Sequence, residues 1–251
     1  MPDLIDFSPG GFRFAKGVFP YAAGVAALPG YRIERVRFAD TVPLAQGFAR
    51  IADFLRAAGR PTTAFCACEL RSPAPFDEAG FGDFNRRYVA VLKDWGLLAA
   101  GANPVARANV SPAIDPPPET GFHAFCYTLP DESSAGGFVV AGSGEVPEGH
   151  ASYRDHIVAR GDASAAGLRT KAAWVIGEME RRMAALGARW ADTTGVQVYS
   201  VHDIHPFLAD LLVRRGAARH GVTWQYARPP VVELEFEMDC RGVTSERVLG
   251  R

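Results

Sequence analysis

The pattern of this chain runs twice, and that constrains its fold more than any single motif. FARIADFLRAAG in the first half lines up with EMERRMAALG in the second, each a helical stretch closed by glycine and each followed by a strand and a further helix. A repeated order of this kind bears on architecture before any local motif does, because each copy is one structural unit. In 251 residues, two units of roughly 125 residues would each bury a core of their own.

In the first half, FRFAKGVFPYAAGVAALPGYRIERVRF mixes strand formers with Gly24, Pro29 and Gly30 and predicts two or three strands. From Pro43 to Ala58, Leu44, Phe48, Ile51, Phe54 and Leu55 recur at three- and four-residue steps before Gly59, which predicts a helix. TTAFCACEL reads as a buried strand, Gly80 to Trp95 as a second helix, and NPVARANVSP and GFHAFCYTL as two strands. DESSAGG has the composition of a linker. The order then restarts with a strand over Gly137 to Val146 and a hairpin partner over Tyr153 to Val158. A helix follows from Ser164 to Leu186, with Leu168, Ala172, Val175, Ile176, Met179 and Met183 on one face. WADTTGVQVYSV is a strand, HPFLADLLVRRGAARHG a helix, and VTWQYARPP with VVELEFEMD a last strand pair. The expected architecture is α+β: two tandem modules, residues 1–130 and 137–251, joined by a linker at 131–136. Each is an antiparallel-rich sheet with two helices on one face.

Composition narrows the function classes. Lys and Arg number 27 against 28 Asp and Glu, so no strong field draws in nucleic acid or an anionic membrane. The beginning of the chain lacks the basic-then-apolar pattern of a secretory signal, and no apolar run reaches membrane length, so a cytoplasmic protein is expected. Cys66 and Cys68 share a face of one apolar strand and read as buried thiols rather than a metal pair. His202 and His205 in HDIH sit at a strand end and helix start. A metal there would need further ligands to which the sequence does not point, and no metal or cofactor is expected.

Several short motifs, taken in order, resemble the Rid (YjgF, RidA-type) family of imine and enamine deaminases. They are Phe81, Asn85 and Tyr88 in FGDFNRRYV, the Pro-x-Arg strand NPVARANV with Arg107, the turn Ser143-Gly144 in VVAGSGEVP, and the acidic strand VVELEFEMD with Glu235. The resemblance implies a chorismate-mutase-like, YjgF-like module and hydrolytic deamination of a small 2-imino or 2-enamino acid, with an aminomuconate-type substrate as an extension. It also implies a homo-oligomer, a trimer of fused pairs. The site it implies has Arg107 holding a carboxylate, Glu235 moving a proton and Asn85 in support. Tyr88, Asn109, His123, Ser143 and Gly144 would line the binding site.

The two copies depart from the family pattern in complementary ways. The first has Ala23 where the Ser of the turn belongs and no acid in GFHAFCYTL, while the second lacks a clean Arg. One composite site built from both halves is therefore expected. Arg107 suits a carboxylate because a guanidinium makes two parallel hydrogen bonds, although a surface Arg paired with an acid would look the same in sequence. Asn85 and Tyr88 share a helix face, which suits packing or a pocket wall. Glu233, Glu235 and Glu237 alternate and should share one face of a strand, either solvated or with one member serving as a base. His123 would be a neutral imidazole, in the core or in place of the missing acid. Two alternatives stand: a carboxylate-binding protein without catalysis, and a chorismatase-like hydrolase or lyase, whose known members are longer.

Overall fold

A computed structural model describes residues 3–99, 101–133, 136–150 and 152–250. Ser134 and Ala135 of the expected linker lie outside the described residues. Among the described residues the fold is mixed α and β, with two sheets and four α-helices. Strands β1 (Leu4–Phe7), β2 (Phe12–Ala15) and β3 (Gly24–Ala27) precede the long β4 (Tyr31–Pro43). Then come α1 (Leu44–Ala57), β5 (Phe65–Arg71), α2 (Glu78–Asp94), β6 (Ala106–Pro112) and β7 (Gly121–Pro130). The second half supplies β8 (Phe138–Gly144), α3 (Ala165–Ala185) and β9 (Gly195–Tyr199). It continues with α4 (His205–Phe207, running into a π turn at Leu208–Val213), β10 (Thr223–Gln225), β11 (Ala227–Arg228), β12 (Glu237–Gly242) and β13 (Ser245–Leu249).

One sheet has the order β1-β2-β3-β8-β12-β9-β10 and the other β11-β6-β5-β7-β4-β13. The inner strands β4-β7-β5-β6 and β8-β12-β9-β10 follow the same sequence of neighbours. In each, the last pair is parallel and the others antiparallel. The sheets do not divide at residues 131–136. β1 to β3 extend the second half's sheet through β3 against β8, and β13 runs parallel to β4 of the first half. Each end of the chain thus completes the other half's sheet.

The helices form where their caps and apolar stripes dictate. The Asp77 side chain accepts the Gly80 amide at 2.7 Å to start α2, and Ser164 accepts the Gly167 amide at 3.2 Å to start α3. Gly59, Gly96 and Gly187 take left-handed φ angles of 67°, 75° and 75° just past the ends of α1, α2 and α3, the conformation glycine adopts without strain. Phe48, Ile51 and Leu55 of α1 join Tyr88 and Leu92 of α2, with Phe65, Phe122 and Phe125 of the sheet, in one core. Leu168, Val175, Ile176 and Met179 of α3 cover Val140, Val196, Val198 and Met238 in a second.

Between the sheets the layer is polar. Arg35 grips Glu69 through bonds of 2.6 and 3.0 Å, and Gln197 Nε2 donates to both Glu69 (3.2 Å) and Asp239 (3.0 Å). Tyr199 donates to Asp239 at 2.6 Å. All four cysteines are buried as free thiols. Burial pushes the Cys68 and Cys126 thiols up to about 12, so they stay protonated and unreactive.

Three expectations need correction. Tyr153 to Val158 is not a strand but contains a 3-10 turn at Arg154–His156. The helix expected over 205–221 shrinks to α4 and its π turn. Glu233, Glu235 and Glu237 do not share a strand face: β12 begins only at Glu237, and Glu233 sits at φ 71°.

Candidate active site

The site lies where β6 of one sheet meets β8 and β12 of the other. There the Tyr21 segment, α2, the loop after β8 and the 230–234 segment line a partly open pocket. A β-bulge shapes it. Met238 pairs with Ser143 but Cys240 pairs with Val140, so Ala141 and Gly142 together oppose Asp239. Buried Arg182 of α3 takes up the carbonyls near the bulge, donating to Ala141 O (3.2 Å) and Gly142 O (3.3 Å), and its Nη2 reaches Ser143 Oγ at 3.4 Å. Gly142 lets the two sheets approach closely there: a Cβ on it would lie 2.3 Å from Glu237 Oε1 and 3.1 Å from Ala108 Cα, so both would have to shift.

Arg107 stands in β6, 3% exposed. Its guanidinium carbon lies 4.8 Å from the ring centre of Tyr88 and between 5.3 and 5.7 Å from those of Tyr21, Phe84 and Phe81. Nη2 donates to Asn85 Oδ1 at 2.7 Å, whereas buried Nη1 has no partner. No carboxylate among the described residues forms an ion pair with it. Asn109 Oδ1 accepts from Ser72 Oγ at 2.9 Å, and its buried Nδ2 is also unpartnered. Both side chains line the pocket, as do Ser143 and Gly144.

The pocket's buried acid is Glu237. Burial, with Asp239 and Glu145 nearby, pushes its carboxyl well above the usual carboxylate range. That shift favours the protonated form, in which the carboxyl is a hydrogen-bond donor. Its backbone position is set by Glu145, which accepts the amides of Glu235 (2.6 Å) and Phe236 (3.1 Å) and pairs with fully buried Lys171 at 3.2 Å.

Of the residues singled out from sequence, Arg107, Asn109, Ser143 and Gly144 meet at one pocket, with Asn85 holding Arg107 from behind. Tyr88 stacks under Arg107 and bonds Cys68 Sγ at 3.3 Å rather than lining the pocket. Glu235 is not among the lining residues. Its carboxylate pairs with His202 at 2.7 Å and lies 4.0 Å from Arg228. Glu237 lines the pocket and Glu235 does not, because the bend at 231–236 ends the alternation. His123 lies away from the pocket, where burial, with Arg71 beside it, pushes the imidazole down to about 3, leaving it neutral. Among the described residues no group of three or more His, Cys, Asp or Glu could hold a metal ion. No helix of the described residues is long and apolar enough to cross a membrane.

Sequence reasoning missed Tyr21, Glu148, Tyr153 and Arg182. Tyr21 and Glu148 meet from positions 127 apart. Only Arg182 left a signal, a charge on the apolar face of α3 between Met179 and Met183.

The family model for the 2-aminomuconate deaminase CnbZ matches residues 4–247. The chain belongs to that family. It is 51% identical to 2-amino-5-chloromuconate deaminase of Comamonas testosteroni over 99% of this chain and 100% of the relative. The Rid assignment is thereby corrected: short motifs such as NPVAR and Ser143-Gly144 lie on pocket-lining strands and do not by themselves fix the family. In fold, the chain resembles a chorismatase crystal structure with a TM-score of 0.51 at 12% identity, covering 96% of this chain and 80% of that one. That likeness concerns the fold alone and lends nothing to a chorismatase-like activity.

Proposed function

We propose that this CnbZ family member hydrolyses an aminomuconate-type enamine dicarboxylate to the 2-oxo acid and ammonia. The observation that carries the reading is Arg107, a buried guanidinium at the wall of a pocket whose Nη1 is unbonded and which has no carboxylate partner among the described residues. A buried charge without a counter-ion costs several kcal/mol, and a substrate carboxylate supplies the missing partner. The aromatic rings around it exclude water and strengthen that contact.

The chemistry follows from the groups at hand. A proton from Glu237 adds to the enamine carbon and gives an iminium. Water then adds at the carbon that bears nitrogen, and the C–N bond breaks as ammonia leaves. One water is consumed for each ammonia released. Arg107 and Asn109 orient the carboxylate beside that carbon, so binding sets up the reaction geometry. The site draws Arg107 from the first half of the chain and Ser143, Gly144 and Glu237 from the second. This fits a tandem duplication with one composite site, which the matching inner-strand orders support.

The test is ammonia release from 2-aminomuconate and its 5-chloro analogue by the purified protein, above the spontaneous rate. Stoichiometric ammonia and 2-oxo acid are expected. Tight binding of the analogue without release would favour a carboxylate-binding protein instead. Assembly into a trimer is proposed on the open edges of both sheets, at β1 and β10 and at β11 and β13. Light scattering should give about three times the chain mass, and a stable monomer would contradict it.

A further inference from the structure

The pocket holds a second carboxyl group, on the loop after β8. Glu148 Oε1 accepts the Tyr21 hydroxyl at 2.8 Å and lies 3.0 Å from Arg182 Nη2, while Oε2 makes no bond among the described residues. Glu148 is one of two counter-ions of Arg182. Arg182 also pairs with Glu178 at 2.7 Å and donates to two backbone carbonyls. Tyr21 joins the two ends of the pocket, its ring under the Arg107 guanidinium and its hydroxyl on Glu148. Burial, with Glu148 beside it, pushes the Tyr21 phenol well above its ordinary range, so it remains a donor to that carboxylate. One carboxyl is thus enclosed among other acids, and the other is held by a fixed arginine and a phenol at the pocket wall.

Resting on the deaminase reading above, we propose that Glu148 is the second catalytic carboxylate, taking the proton of the attacking water and returning it to the departing nitrogen. The proton balance closes. Glu237 protonates the enamine carbon and becomes a carboxylate. Water adds to the iminium carbon as its proton passes to Glu148, and Glu148 protonates the nitrogen of the carbinolamine. The C–N bond then breaks, its electron pair leaves with ammonia, and the hydroxyl proton returns to Glu237 as the carbonyl forms. Arg182 and Tyr21 are positioning residues for this step, because both fix Oε1 and leave Oε2 for water.

The two half-reactions can be read separately in D2O: deuterium entering the enamine carbon of 2-aminomuconate reports proton exchange there, and ammonia reports hydrolysis. Glu148→Gln keeps the shape and can still accept from Tyr21 but cannot take a proton. Ammonia release should fall about 100-fold or more, with KM and carbon exchange changed no more than about threefold. Glu148→Asp should recover part of the rate, and formate should partly restore a Glu148→Ala variant. Tyr21→Phe should cost about tenfold in release. If Glu148→Gln releases ammonia within about threefold of the parent, the assignment fails. It fails equally if exchange and release fall together, which would mark a structural role; should Glu148→Gln not fold, absence of any loss in Tyr21→Phe overturns it. If the parent protein releases no ammonia from 2-aminomuconate, the deaminase reading itself is what has failed.

Discussion

Replacing Arg107 with Met should lower kcat/KM for an aminomuconate by about 100-fold or more while leaving the fold at least as stable. Met keeps much of the side chain's volume between Tyr21, Phe84 and Tyr88 but removes both hydrogen-bonding arms. A charge-assisted hydrogen bond contributes about 1.5–3 kcal/mol, and a bidentate grip contributes more, so the loss reaches two decades or beyond. Stability behaves differently because the free protein holds the guanidinium with one bond to Asn85 and no carboxylate. Removing an uncompensated buried charge is neutral or favourable. Muconate, a dicarboxylate without the amino group, provides the clean reading. It should raise the melting temperature of the parent protein in proportion to its binding and leave Arg107→Met unmoved. An unchanged kcat/KM in the variant would remove the carboxylate anchor.

The sequence made the helices legible where apolar spacing and a closing glycine agree, as in α1 and α3. It could not show the crossing of the chain ends, because β1 to β3 and β13 are short strands at sheet margins whose partners lie far away in sequence. The E-x-E-x-E run misled for a local reason. Glu233 adopts φ 71°, and the amides of Glu235 and Phe236 bond the Glu145 side chain instead of a neighbouring strand, so the alternation breaks before Glu237. Arg107 is singled out only through the Pro-x-Arg motif, since a surface Arg paired with an acid looks the same in sequence. Glu148 could not be read, since a glutamate in VPEGH looks like any solvated loop residue until Arg182 and Tyr21 arrive from elsewhere. The pocket is lined from both halves of the chain, and the acids that line it are Glu148 and Glu237, not Glu235.

Glu237 gives the second large effect, in which activity and stability move in opposite directions. Glu237→Gln is nearly isosteric and keeps the contact with Gly142, yet it has no acidic proton to give to the enamine carbon. Carbon exchange and ammonia release should therefore both fall about 100-fold to 10,000-fold, the range for loss of a general acid, with little change in KM. The stability effect follows from the sign of the shift. Burial, Asp239 and Glu145 raise the Glu237 carboxyl in the folded protein above its unfolded value. Between those two values the native state binds more protons than the unfolded chain, so stability falls as pH rises. Gln carries no such penalty. Glu237→Gln should melt above the parent protein at pH 7 to 8 and lose that advantage as the pH is lowered into the ordinary carboxylate range, where the parent acid is protonated in both states. Asp239, pushed up to about 6 by burial and by Glu69, adds a pH dependence of the same sign in both proteins, and the difference between the two melting curves reports Glu237 together with its repulsion of Asp239. A variant that melts below the parent at every pH would show that the carboxyl is ionised and paired in the folded state, and the proton for the enamine carbon would then have to come from another group.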